Sequence, residues 1–201
     1  MTPTEMDRLL INHIADMEDG AKRLNRLSGE ISKAMDELLA KWAESNNWVV
    51  SGIWDEDDYS FAPAEWRRSD DEWLAHFSLA LNAAPRGTVY ADDQFWLASL
   101  CGEGSRTYGF RFYQNEFGNS PWRKFIRGRA ETLQGTRFIF DDEPSFFLPV
   151  RVDKDRLAAA VGDEAIDDGL SPITEALDYV KANWQRFEEL RQEMTRMQGG
   201  A

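Results

Sequence analysis

The chain holds a single cysteine, Cys101, and two histidines, His13 and His76, and that scarcity removes several chemistries at once. One cysteine forms no intrachain disulfide and builds no thiolate metal cluster, and it fits a reducing compartment. With one sulfur and two imidazoles, a structural zinc site lacks ligands. No Gly-rich loop ends in Lys-Ser or Lys-Thr to cradle phosphate, and Gly102-Glu103-Gly104-Ser105 has neither a third glycine nor a following helical pattern. No Gly-x-Ser-x-Gly elbow offers a hydrolase serine. Apolar runs are also short. No stretch reaches the ~20 residues of a membrane span, and no N-terminal run resembles a signal peptide, so the cytoplasm is the expected location.

What the chain has in quantity is negative charge and aromatic rings. Formal charge is −13 over 201 residues, which disfavours nucleic acid and anionic membranes as partners. With 8 Trp, 12 Phe and 5 Tyr the composition is that of a packed globular domain.

The first 45 residues are organised differently from the rest. Leu10, Ile14, Met17, Ala21, Leu24, Ser28, Ile31, Met35, Leu38 and Trp42 recur with alternating spacings of 4 and 3, a heptad seam. This predicts a helix from Thr4 to Ser45, roughly 60 Å long at ~1.5 Å per residue. Thr4 is the expected N-cap, with Asp7 three residues on, and Ser28-Gly29 is the expected weak point. The seam must be covered, either within the fold or by a second copy as a coiled coil. From Ser171 to Met197 a second helical pattern, including Ile173, Leu177, Val180, Trp184, Phe187 and Leu190, offers an internal cover.

Residues 46–201 read as an aromatic-rich domain closed by that last helix. Short runs separated by turn signals, at Trp48–Trp54, Trp73–Leu81, Val89–Tyr90, Phe95–Cys101, Tyr108–Tyr113, Arg137–Phe140 and Phe146–Val152, predict antiparallel strands. Pro121 opens a helical segment to Leu133, Asp155–Val161 reads as a short helix, and Asp163–Gly169 as an acidic loop. Ser171-Pro172 predicts an N-cap with Pro at the first helical position. The expected class is α+β: a long N-terminal helix and a C-terminal helix packed with a central antiparallel sheet of about five to seven strands.

Candidate interaction residues fall in two groups. Arg123, Lys124, Arg127 and Arg129 form the one basic island, interleaved with Trp122 and Phe125. Such a helix can grip phosphates and stack bases, or bury its rings and turn its cations to the chain's own acidic turns or to an acidic partner. Asp55, Glu56, Asp57 and Asp58 form the densest acidic turn, which can serve solubility or dock on a basic surface. Asp92-Asp93 is the carboxylate pair best placed for a divalent cation, though two-metal hydrolysis needs side chains that converge from several segments. Nothing in the pattern calls for a cofactor.

The aromatic spacing brings a family resemblance. Asn47-Trp48, Phe61-Ala62-Pro63-Ala64-Glu65-Trp66, Trp73-Leu74-Ala75-His76-Phe77, Tyr108-Gly109-Phe110-Arg111-Phe112 and Trp184 resemble the region downstream of the nuclease core in phage and bacterial PD-(D/E)xK superfamily proteins. The resemblance spans roughly residues 46–190. The superfamily's Glu-x-Lys motif occurs nowhere in the chain, and Glu30-Ile31-Ser32-Lys33 has a different spacing. The resemblance therefore implies the accessory part without catalytic residues. The expected function is a non-catalytic, acidic interaction or regulatory protein with a protein partner, and with homodimerisation through the N-terminal helix open. The alternatives are a phage-type anti-defence inhibitor that mimics a polyanion, and a metal-dependent or degenerate nuclease relative.

Overall fold

A computed structural model describes residues 2–54, 59–69, 72–82, 95–141 and 143–199. The class is the expected α+β, with a long N-terminal helix, a C-terminal helix and a six-stranded antiparallel sheet. The N-terminal helix is in two pieces, α1 (Pro3–Asn12) and α2 (Ile14–Asn46). Its start lies earlier than expected. Thr2 caps α1, with Glu5 reaching back to the Thr2 amide in a reciprocal box. The break falls at His13 (φ −114°, ψ 24°), whereas Gly20 and Gly29 are passed without interruption. Asn47, in the left-handed region at φ 58°, stops α2 and turns the chain into the sheet.

The sheet contains β1 (Trp48–Ser51), β2 (Ser60–Pro63), β5 (Ala75–Leu81), β6 (Tyr108–Gln114), β7 (Ile139–Phe140) and β8 (Phe146–Pro149), in the order β1-β2-β5-β6-β8-β7. A separate hairpin joins β3 (Arg67–Ser69) to β4 (Glu72–Trp73). Register decides the two faces. Phe61 lies opposite Phe77, Phe77 opposite Phe112, and Phe110 opposite Leu148, so one face is a sheet of rings. Ser60 opposite Ser78, Ser78 opposite Arg111 and His76 opposite Tyr113 put the polar set on the other face.

The helices meet the aromatic face. On α7 (Ser171–Gly199), the ring of Phe187 lies within 4.8–6.0 Å of Phe77, Phe112, Phe138 and Phe146, centroid to centroid. The C-terminal end of α2 covers the other flank through Trp42, edge-on to Trp48 and Phe61. The two helices touch there: the Trp42 indole donates to Asp178 at 2.8 Å, and Lys181 donates to Asn46. Internal cover of the seam thus belongs to its second half. Of the seam positions Ile31, Met35 and Trp42 are buried and Leu38 is half-buried, with its neighbour Leu39 buried in its stead, whereas Leu10, Ile14 and Met17 are 45%, 63% and 53% exposed.

Several local expectations are corrected. Phe95–Cys101 holds a short helix, α3 (Trp96–Leu100), in place of a strand. The Pro121 segment is α4 (Asn119–Arg127) followed by a 3-10 turn at Ala130–Leu133, and it starts two residues before the proline. Asp153 caps α5 (Lys154–Gly162), and the acidic loop contains one helical turn, α6 (Ile166–Gly169). Ser171 is the first residue of α7 and its buried hydroxyl has no hydrogen-bond partner among the described residues, so it does not cap by side chain. Val89–Tyr90 lies outside the described residues.

Truncating Phe187 leaves a hole between four rings, so Phe187→Ala costs about 3–5 kcal/mol. Leu9, 45% exposed, packs on nothing comparable, and Leu9→Ala stays within about 0.5 kcal/mol of wild type. Urea unfolding of the two variants checks the contrast.

Candidate interaction surfaces

The basic island divides in the fold. Phe125 and Ile126 turn inward and are buried, with Trp122 stacked on Phe125 at 6.0 Å, so α4 is amphipathic. Arg129 is taken by the fold. Its guanidinium forms a two-pronged ion pair with Glu193 on α7 and lies 4.9 Å from the Phe125 ring centroid. Arg123, Lys124 and Arg127 are exposed and hold no ion pair among the described residues. Like charges at Arg123 and Arg127, one turn apart, repel by a few tenths of a kcal/mol. Lys124 and Arg127 recover part of that by sitting in the helix's last turn, beside its negative end.

The acidic turn nearest this helix is occupied from elsewhere. Arg111, fully buried in β6, donates two parallel hydrogen bonds to Asp141, at 2.8 and 2.7 Å, and pairs through Nε with Glu143 at 3.3 Å. Its guanidinium lies 4.8 Å from the Phe147 ring centroid. Burial opposes the charge, but the two carboxylates outweigh it and hold the guanidinium pKa above its ordinary value. Gly109 makes room: a Cβ there would collide with the Phe147 ring and the Leu148 carbonyl.

Between this network and α4 opens a notch of about 150 Å³, walled by Tyr113, Gln114, Asn119, Trp122, Arg123 and Glu143. The Tyr113 hydroxyl donates to Glu143 at 3.4 Å, and burial together with the Glu143 charge pushes its pKa up to about 12. His76 stacks on Tyr113 at 5.6 Å with its Nδ1 enclosed and without a hydrogen-bond partner among the described residues. Burial lowers its pKa from 6.5 to about 4. A base so enclosed is a packing group.

A second charged network ties α7 to the β3–β4 side. The Glu188 carboxylate accepts from the Trp66 indole at 2.6 Å, from Arg191 at 2.7 and 2.8 Å, and from Gln192 at 2.8 Å. Burial alone would raise its pKa; the four hydrogen bonds prevail and hold it below the usual carboxylate range. Neither Arg111 nor Glu188 stands out in the sequence as a site. Arg111 is a lone charge between Phe110 and Phe112, and that is the one signal that could have found it, whereas Glu188 lies among Arg186, Glu189 and Arg191 and carries none.

The remaining candidates are placed or left aside by the described residues. Asp55, Glu56, Asp57, Asp58, Asp92 and Asp93 lie outside them. His13 sits at the α1–α2 break, 3.4 Å from Asp16. Cys101 is buried, its thiol pKa raised by burial and by Glu103. Among the described residues no three His, Cys, Asp or Glu side chains are grouped to hold a metal ion. Among the described residues no helix is long and apolar enough to cross a membrane.

An extended apolar surface lies on the arm formed by α1 and the first half of α2. Met17, Gly20, Ala21, Leu24, Leu27 and Phe95 line an open groove of about 540 Å³, rimmed by Asp16 and Arg23. Beyond it toward the N-terminus Met6, Leu9, Leu10, Ile11 and Ile14 are all exposed. No protein-family model, curated protein or solved structure matches the chain, so this geometry stands as the starting point for function.

Two outcomes check the electrostatics. Asp141→Ala leaves a buried guanidinium half-paired and costs about 3–5 kcal/mol, whereas Asp141→Ala combined with Arg111→Met costs less than the sum of the single changes in urea unfolding. His76 binds its proton more weakly folded than unfolded. Its contribution is complete above pH 6.5 and is lost as pH falls toward 4. His76→Phe flattens the fall in unfolding free energy across that window; an unchanged slope would place the imidazole in solvent.

Proposed function

We propose that the protein is a non-catalytic interaction protein that docks another macromolecule through its N-terminal helical arm. The observation that carries this reading is the exposure of Leu10, Ile14 and Met17 at successive positions of one seam, continuous with positions that are buried in the core. Burying one such side chain is worth about 1.5–3 kcal/mol, so an uncovered row of them is a strong driving force for association. The arm's helical form is supported from the core end, because α2 runs without a break from the groove into the packed sheet layer. A preformed helix binds without the ordering cost of a disordered segment.

Arg123, Lys124 and Arg127 favour a second contact, with an acidic protein surface. Three cations with no ion pair among the described residues, on a chain of net charge −13, are a local reversal of sign. That net charge opposes a nucleic acid that approaches to within about a Debye length, about 8 Å at physiological salt.

Affinity capture from a native lysate, with the full chain as bait, tests the arm. The expected result is a defined set of partners retained by wild type, weakened by Arg123→Glu with Arg127→Glu, and lost with Ile14→Asp and Met17→Asp. Equal capture by the arm variant refutes the arm as the docking element.

A further inference from the structure

The arm's surface is uneven in two ways that fit each other. Its outer part is bulky, with Met6, Leu10 and Ile14 standing out of the helix. Its inner part is recessed, because Gly20 and Ala21 leave the groove between Met17 and Leu24. Charge is divided along the same line. Residues 5–19 hold Glu5, Asp7, Asp16, Glu18 and Asp19 against Arg8, whereas residues 20–27 hold Lys22, Arg23 and Arg26 and no acid. Lys22 and Arg26 spend part of their charge on Glu18 and Glu30 within the helix. Asp7 and Arg23 hold no ion pair among the described residues.

A surface whose one end is bulky and acidic, and whose other end is recessed and basic, is complementary to itself turned end over end. We propose that the arm's partner is a second copy of this chain, paired antiparallel over Met6 to Leu27. This rests on the reading of the arm as the docking element and names its occupant. The heptad positions fix the alignment, since an antiparallel pair sets each first seam position against a fourth one. Ile14 of each copy then meets Met17 of the other at the two-fold axis. Leu10 enters the recess at Ala21, Met6 reaches Leu27 beside Phe95, and Asp7 comes level with Leu24, next to Arg23. The contact is isologous and closes at two copies.

A parallel pair fails on the same residues. It would set Asp7 against Asp7 and Arg23 against Arg23, leave the recess at Gly20 and Ala21 facing itself, and bring two strongly acidic bodies side by side. The antiparallel pair holds the bodies at opposite ends of the arms.

Sedimentation equilibrium of the full chain at micromolar concentration gives the first readout. The expected mass is twice the chain's 23.1 kDa, falling to 23.1 kDa in Ile14→Asp with Met17→Asp while thermal unfolding of the body is unchanged. Cross-linking under oxidised glutathione gives direction, and buried Cys101 does not compete. Leu10→Cys with Ala21→Cys forms a covalent dimer, and Leu10→Cys alone does not. A wild-type mass of 23.1 kDa overturns the second copy as occupant, even where lysate capture still depends on the arm. Equal cross-linking by Leu10→Cys alone overturns the antiparallel arrangement. Cross-linking by the cysteine pair supports it even where the aspartate variant fails to fold.

Discussion

The need to cover one face of the sheet governs the molecule. Phe61, Phe77, Phe110, Phe112 and Phe146 share that face by register, and a layer of rings that wide is unstable in water. No single helix spans it. The chain solves this with its two terminal elements, α7 laying Phe187 into the middle and α2 bringing Trp42 to the flank. The hydrogen bond from Trp42 to Asp178 then fixes the angle between the two covers. Everything the seam does beyond Leu24 follows from α2 having spent only its second half on this task.

The opposite face carries a different constraint. A guanidinium in mid-strand is expensive to bury, and Arg111 is tolerated because three features converge on it: the twin oxygens of Asp141, the Glu143 carboxylate and the Phe147 ring. Gly109, two residues earlier on the same face, lets the ring lie close. The network claims the acidic turn that the cations of α4 would otherwise reach. Arg129, at the far end of that segment, finds Glu193 instead. The positive patch on α4 is thus a by-product of how the interior settled its own charges.

Legibility in the sequence tracked how much of the outcome was local. The seam announced the N-terminal helix, and the alternation of Trp73 to Leu81 and Tyr108 to Tyr113 announced two strands, although the first is cut at Leu74 and Trp73 pairs in the separate β3–β4 hairpin, because periodicity is written in the residues themselves. Phe95 to Cys101 misled because a short apolar run without polar punctuation fits a buried strand and a buried helix alike. At the N-terminus Thr2 and Thr4 both precede an acid by three residues. Glu5 is present in the closed box around Thr2, its side chain one methylene longer than that of Asp7. Which cations of the basic island stay free, and that an arginine fills the 141–143 turn, depended on partners 30 to 64 residues away and had no local signature.

The order of the elements along the chain has a consequence for biosynthesis. Among the described residues the sheet strands end at Pro149, and Phe187 follows only on α7. A ribosome that has released every strand still holds the cover for the rings. During that interval the nascent chain presents its aromatic face to solvent or to a chaperone, with α2 available to shield it. The slowest hazard for this protein is therefore one of timing, set by the distance in sequence between the surface that needs covering and the helix that covers it.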